Sequence, residues 1–322
     1  MTFALAFTMA AAAAFTIISG VNDGSALLAG SLTLPSLRPF SAILILASTL
    51  IAGPYVLGTQ VATTLASRLV TFEDGERLPL LIALLSAVGV VAALSHLGLP
   101  TSLTLALIGG IAGAGIGAGL AVSWATVGFV LAVAAVAPIV GATLGFLLTR
   151  LLIQLPTNGA VSNRLGWLHR VGFGLQSIAY SVNDGQKLLA VFTVGLGATS
   201  AVVQPRLDLL VAIAALFTIG MLIGVRRIAG TLGSGVMLAR PHHLLTSELS
   251  SAAAVLGSTA FGAPVSMTQS ITASLIGTAV SEGYGRVRWK TALNIVIAWI
   301  VTLPAAGAAA AILSRATLGL VR

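Results

Sequence analysis

Ser181-Val182-Asn183-Asp184-Gly185-Gln186-Lys187 sets a carboxylate, two carboxamides and an ammonium inside a run that is apolar on both sides. Charged groups at such depth cost a few kcal/mol each unless they pair or line a wet cavity. Only 7% of the 322 residues are charged, so this grouping is not incidental. The stretch also has a counterpart in Gly20-Val21-Asn22-Asp23-Gly24, whose Val-Asn-Asp-Gly core lies 161 positions earlier (184 − 23), half the chain length. Polar kinks that hydrogen-bond neighbouring helices are the plainer reading. A duplicated ion or substrate site at the interface of two repeats accounts for more of the pattern.

A second motif repeats as well. Pro100-Thr101-Ser102-Leu103-Thr104-Leu105 matches Pro264-Val265-Ser266-Met267-Thr268-Gln269 at an offset of 164 (264 − 100), and the register extends to Gly113 and Gly277. Proline at a helix start followed by Ser and Thr is an N-terminal signature. Taken alone, Ser102 and Thr104 read as ordinary back-bonding within a membrane helix. Two motifs in the same order at nearly one offset indicate internal duplication.

The elements that must carry these motifs span a membrane. Hydrophobic residues make up 57% of the chain and mean hydropathy is +1.06. Several apolar runs reach the ~20 residues a bilayer-crossing helix requires. The chain predicts an all-α integral membrane protein built of two inverted-topology repeats. Residues 1–153 form the first, 154–170 a basic connecting loop and 171–322 the second. Each repeat is expected to hold three full spans, some broken, and one re-entrant helical hairpin. In the first these are Phe3 to Leu34, interrupted at the Asn-Asp motif and closed by Pro35; Ser41 to Leu65; the hairpin Leu80 to Gly119, with a full-length helix pair as the alternative; and Val122 to Leu152. The run from Ser67 to Pro79, with Glu73, Asp74 and Glu76, reads as an aqueous loop. An odd number of crossings inverts the second repeat relative to the first, the plan of many secondary transporters. The first apolar run lacks a basic leader and is read as a retained helix.

Charge bias orients the chain. Sixteen basic residues against eight acidic ones suggest loop bias in a membrane protein, not nucleic-acid binding. The loop from Gln154 to Arg170 contains Arg164, His169 and Arg170 and no acid, which places it in the cytoplasm, with His169 as a solvated loop residue. Cysteine is absent, so disulfides and thiolate metal sites are excluded. No nucleophile elbow, zinc-ligand spacing or phosphate-binding glycine loop supports an enzyme.

The chemistry divides into two parts. Hairpin tips offer hydroxyls and helix N-terminal N–H groups, donors suited to a tetrahedral oxyanion. The expected anion ligands are Thr101, Ser102, Thr104, Ser266, Thr268, Gln269 and Gln186. Asn22, Asp23, Asn183 and Asp184 offer oxygens suited to a hard cation, with Asp23 and Asp184 as Na+ ligands or proton carriers. Lys187 either pairs with an acid, Asp184 first, or assists the anion. Glu248 reads as an interfacial residue near His242 and His243, or as a proton-handling carboxylate.

Asn22-Asp23 and Asn183-Asp184-Gly185-Gln186-Lys187, with Pro100-x-Ser102-x-Thr104 and Pro264-Val265-Ser266-x-Thr268, resemble the inorganic phosphate transporter (PiT) family along the whole chain. The family carries duplicated Gly-Ala-Asn-Asp and Pro-Val-Ser-Thr-Thr-His motifs. The resemblance implies cation-coupled uptake of phosphate by a multi-pass protein of the cell (inner) membrane, with no cofactor beyond transported phosphate and its coupling Na+ or H+. A homodimer is among the assemblies it allows. Leu103 and Met267 replace the middle Thr, Leu105 and Gln269 replace the His, and Ala26 replaces an Asn. Those changes keep a sulfate permease and an uncoupled anion channel as alternatives.

Overall fold

The computed structural model describes residues 3–28, 36–70, 77–154, 159–196 and 202–321. Among them, helices are the regular elements apart from one isolated bridge between Val70 and Val122. The first half contains α1 (Phe3–Ser19), α2 (Pro39–Leu57), the single turn α3 (Gln60–Thr63), α4 (Arg77–His96), α5 (Leu103–Ala118) and α6 (Trp124–Leu152). The second contains α7 (Gly159–Tyr180), α8 (Gln186–Gly195), α9 (Leu207–Gly230), α10 (Pro241–Thr259), α11 (Met267–Glu282) and α12 (Trp289–Val321). Among the described residues six helices are long and apolar enough to cross a membrane. They comprise α1 with its extension, α2, α4, α6, α9 and α12. The chain is a multi-pass membrane protein.

That set differs from the expected spans in two places. α4, expected as a hairpin arm, has membrane length at 19 residues, and α7–α8 is not among the six. The expected end of the first run at Pro35, the loop residues Glu73, Asp74 and Glu76, and loop residues 155–158 lie outside the described residues. The connecting loop is shorter than 154–170, because helix α7 already begins at Gly159.

Packing is matched between the halves. α5 lies on α12 and α11 lies on α6, so the second arm of each hairpin rests on the last helix of the other half. α1 packs on α9 while α2 packs on α7; α4 packs on α12 while α10 packs on α6. Lipid provides no hydrophobic drive between helices, so close approach depends on small residues. The pair Gly113 and Gly277 shows why. A Cβ at Gly113 would stand 2.1 Å from the Gly307 carbonyl oxygen, and one at Gly277 would stand 1.9 Å from that of Ala142.

The Asn-Asp motifs do not break their helices. Gly20–Gly24 and Ser181–Gly185 each form a π turn, and the chain runs on helically through residues 25–28 and into α8. A π turn adds a residue locally and shifts the i→i−4 ladder, and it occurs often at functional sites. Glycine at both ends of the first motif relieves crowding that a longer side chain would create. A Cβ at Gly20 would stand 2.0 Å from the Phe217 carbonyl oxygen of α9.

Candidate substrate and ion site

Each hairpin turns tightly before its second arm. Pro100 and Pro264 precede Ser102 and Ser266, which are the extended N-cap residues of α5 and α11. Ser102 Oγ accepts from Leu105 N at 3.2 Å and Ser266 Oγ accepts from Gln269 N at 3.4 Å, as N-cap residues do. Among the described residues neither hydroxyl has an acceptor for its own proton.

Asparagine fixes each tip to its own half. Asn22 Nδ2 donates to the Thr101 carbonyl at 2.8 Å, and Asn22 Oδ1 accepts from Thr101 N at 3.0 Å. Asn183 repeats the arrangement, donating to the Ala263 carbonyl at 3.0 Å and accepting from Val265 N at 3.0 Å. It also donates to Thr259 Oγ1 at 2.9 Å. These bonds satisfy turn backbone groups that burial would otherwise leave unpaired.

Aspartate reaches across to the other half. Asp23 Oδ1 accepts from Thr268 Oγ1 of the second tip and from Asn22 Nδ2 at 2.8 Å. Asp184 Oδ1 accepts from Lys187 Nζ at 2.6 Å, and that ammonium also donates to Thr104 Oγ1 and to the Val265 carbonyl. Thr104 Oγ1 in turn donates to the Val265 carbonyl at 2.7 Å, so the two tips touch. Asp23, Asp184 and Lys187 are all at most 3% exposed. The two carboxylates repel each other and Lys187 attracts both. Two carboxyl groups share one ammonium, so the second can stay ionised in this low-dielectric region only with a cation beside it and is otherwise protonated. Asp184 Oδ2 and Gln269 Oε1 are buried without a hydrogen-bond partner among the described residues. Such atoms mark where a ligand or an ion would complete the site.

Two of the expected ligands are engaged elsewhere. Gln186 Oε1 accepts from Val61 N at 2.8 Å and Ala62 N at 3.1 Å, and Nε2 donates to the Gly58 carbonyl at 2.7 Å. Its carboxamide therefore caps α3 instead of joining the tips. Thr101 bonds its hydroxyl to Thr302 Oγ1 of α12, and Thr302 donates on to the Ala298 carbonyl. The structure brings together Asn22, Asp23, Thr104, Asn183, Asp184, Lys187 and Thr268, with Ser102, Ser266 and Gln269 on the same tips.

Two expectations for the second half are corrected. His169 is not a solvated loop residue: it is 1% exposed on α7, and its Nδ1 lies 2.9 Å from Glu248 Oε2 on α10. Glu248 therefore meets His169 and not the adjacent His242 and His243, which contact Glu282 Oε1 at 2.8 and 2.9 Å. Charge counting placed His169 beside exposed Arg170, but helical geometry turns successive residues to different faces.

Sequence reasoning missed Tyr180, Thr259, Thr302 and Trp299. Tyr180 is fully buried directly before the second π turn, with its hydroxyl in the field of Asp23 and Asp184. Trp299 Nε1 donates to the Pro100 carbonyl at 3.3 Å and steadies the first tip from α12. Position next to the Asn-Asp motif was the available signal for Tyr180. Lone Thr and Trp residues in apolar runs give none.

The family model described as "Phosphate transporter family" matches the chain twice, over residues 19–169 and 156–310, one match per half. A protein of Mycobacterium tuberculosis (strain ATCC 25618 / H37Rv) named "Probable low-affinity inorganic phosphate transporter" is 35% identical over 319 residues, covering 95% of this chain and 75% of its own. A protein of the same name from Bacillus subtilis (strain 168) is 33% identical over 305 residues, covering 91% of each chain. A solved structure titled "The sodium-dependent phosphate transporter" superposes with a TM-score of 0.84 over the full length of both chains at 18% identity, a likeness of fold. With both motifs in place in each half and a family match over each, this chain belongs to the phosphate transporter family, a family of transporters and not of enzymes.

Proposed function

We propose that the protein carries inorganic phosphate across the cell membrane, coupled to entry of Na+ or H+. The observation that carries the coupling is the unequal count of acids and bases: Asp23 and Asp184 against the single ammonium of Lys187, all buried beside the two hairpin tips. A cation or proton held by Asp23 keeps that carboxyl from adding a net negative charge and makes room electrostatically for an anion. The anion is held by donors of the tips, namely the hydroxyls of Ser102 and Ser266, the first-turn N–H groups of α5 and α11, and the carboxamide of Gln269. Helix N-termini favour negative charge through their dipoles. Thr104 and Thr268 tie the tips to Lys187 and Asp23, so the occupancy of one site is felt at the other.

The matched packing of the halves supports two repeats of inverted topology, each hairpin moving against the last helix of the other half. Alternating access then amounts to exchanging the roles of the halves about the fixed tips. The positive connecting segment belongs on the cytoplasmic side.

The test is uptake of radiolabelled phosphate and sulfate into proteoliposomes, with Na+ and pH gradients imposed separately. Phosphate accumulation driven by one of the gradients is expected. Preference for sulfate would reassign the anion. Flux that never exceeds equilibrium under either gradient would make the protein a channel.

A further inference from the structure

A large cavity lies away from the tips, at the far end of the second hairpin. It measures about 710 Å³ and is lined by Arg150, Arg240 and Arg286, with Phe146, Glu282 and Tyr284. Glu282 closes α11, fourteen residues beyond Thr268, which at 1.5 Å per residue is ~21 Å from the tip. This cavity is therefore separate from the site between the tips.

Charge in the cavity is unbalanced. Glu282 is its one acid, and that carboxylate is already engaged. Oε1 meets His242 and His243, and Oε2 faces Arg286 at 3.5 Å. Among the described residues no carboxylate pairs with Arg150 or Arg240. Arg150 lies over the Phe146 ring, 5.5 Å from its centroid, which holds the guanidinium at the cavity wall. The cluster of His242, His243 and Glu282 has ligand atoms within 4.8 Å of one another, yet it does not suit a metal ion. His243 Nδ1 accepts from Arg240 N at 3.0 Å, so in the neutral ring Nε2 carries the proton and donates it to Glu282. The cluster is instead a brace between the two arms of the hairpin.

The surroundings indicate depth. Tyr284 is 72% exposed and stacks on Trp289 with ring centroids 6.4 Å apart, and the indole N–H donates to the Tyr284 carbonyl at 3.1 Å. Paired exposed aromatics at helix ends sit at the boundary between membrane and water. Planar guanidinium groups recognise phosphate oxygens through paired N–H donors, and basic pockets between helices at that boundary hold anionic headgroups.

We propose that this cavity binds a phosphate-bearing anion, through Arg150 on α6 and Arg240 and Arg286 at the base of the second hairpin. Bound there, the ligand ties the hairpin base to α6, the helix on which α11 rests. The chemistry is shared by a phosphodiester lipid headgroup and by a soluble phosphate compound, and the experiment separates them.

Binding to the full-length protein in detergent is measured by thermal shift and by titration. The probes are dioctanoyl phosphatidylglycerol, dioctanoyl phosphatidylcholine and inorganic pyrophosphate. Arg150→Gln/Arg240→Gln is the comparison variant, because it leaves the Arg286–Glu282 pair intact. Charge-assisted hydrogen bonds of this kind each correspond to roughly a tenfold factor or more, so the variant should bind at least about tenfold more weakly. Tighter binding of phosphatidylglycerol than of pyrophosphate, lost in the variant, assigns the headgroup. The reverse preference, lost in the variant, assigns a soluble phosphate compound. Equal binding by the variant and the native protein overturns the proposal, as does saturation by phosphatidylcholine alone or no binding of either anion. If the variant fails to fold, Arg240→Lys replaces it, keeping the charge but losing the two-pronged contact. Unchanged affinity for both anions in that variant also overturns the proposal.

Discussion

Asp23 meets Thr268 of the opposite hairpin directly, whereas Asp184 meets its opposite hairpin through Lys187, whose ammonium bridges it to Thr104. The asparagines differ less: each donates to one backbone carbonyl and accepts from one backbone N–H of its own tip, Asn22 at Thr101 alone and Asn183 at Ala263 and Val265. The asymmetry traces to one position. At the offset of the Asn-Asp motifs, Lys187 corresponds to Ala26 (187 − 161), a buried methyl group with nothing to donate. Duplication therefore preserved the scaffold, and a single side chain made the two charge environments unequal. The second half supplies an ammonium to its own carboxylate, and the first supplies none.

The largest expected effect comes from breaking the neutralised half. Lys187→Met leaves Asp184 buried without its counter-charge, and breaking a buried pair costs about 3–5 kcal/mol. Thermal unfolding in detergent should show that loss, and Lys187→Met/Asp184→Asn should recover much of it. A single variant as stable as the native protein would mean that Asp184 is not held by Lys187. Next in size are the braces. Asn22→Ala and Asn183→Ala each strand buried turn groups, at about 1–3 kcal/mol. The two losses should be alike, and a large inequality would break the symmetry assigned to the asparagines.

Asp23→Asn sharpens the comparison most. Asparagine still offers Oδ1 to Thr268 and removes the repulsion from Asp184, so stability should change by about 1 kcal/mol or less. Concentrative uptake should nevertheless be lost, because the charge that recruits the cation is gone. Full ion-dependent uptake by this variant would move the coupling site away from the first half.

The smallest effect is at the hairpin base. Burial pushes the His243 imidazole below its ordinary pKa, and the bond to Glu282 only partly opposes this. A lowered folded pKa means that the neutral form's contribution to stability is complete above about pH 6.5 and is lost as pH falls through the folded value. Protonation at Nδ1 would remove the acceptor for Arg240 N–H. His243→Asn keeps an acceptor there, so its melting temperature should fall less than the native protein's between pH 7 and pH 5. Identical pH profiles would show that another group governs the acid side.

The family, the duplication and most of the residues that meet at the hairpin tips were legible in the sequence, because depth in an apolar run and a repeated spacing are local properties. Asn-Asp turns flanked by glycine and Pro-x-Ser-x-Thr tips announce themselves wherever the chain goes. The identity of each residue's partner is not local. Asp23 and Thr268 are 245 residues apart, and their meeting depends on how the second hairpin lies against the first half. The same holds for Gln186, read as an anion ligand by its place in the motif and turned by packing onto the N–H groups of α3, 124 and 125 residues away. His169 and Glu248 looked like residues of a loop and a membrane boundary, since composition cannot tell which face of a helix is covered. The π turns are a tertiary decision as well. Glycine permits a break in the helix, but burial demands that backbone groups remain bonded, and a widened turn satisfies both.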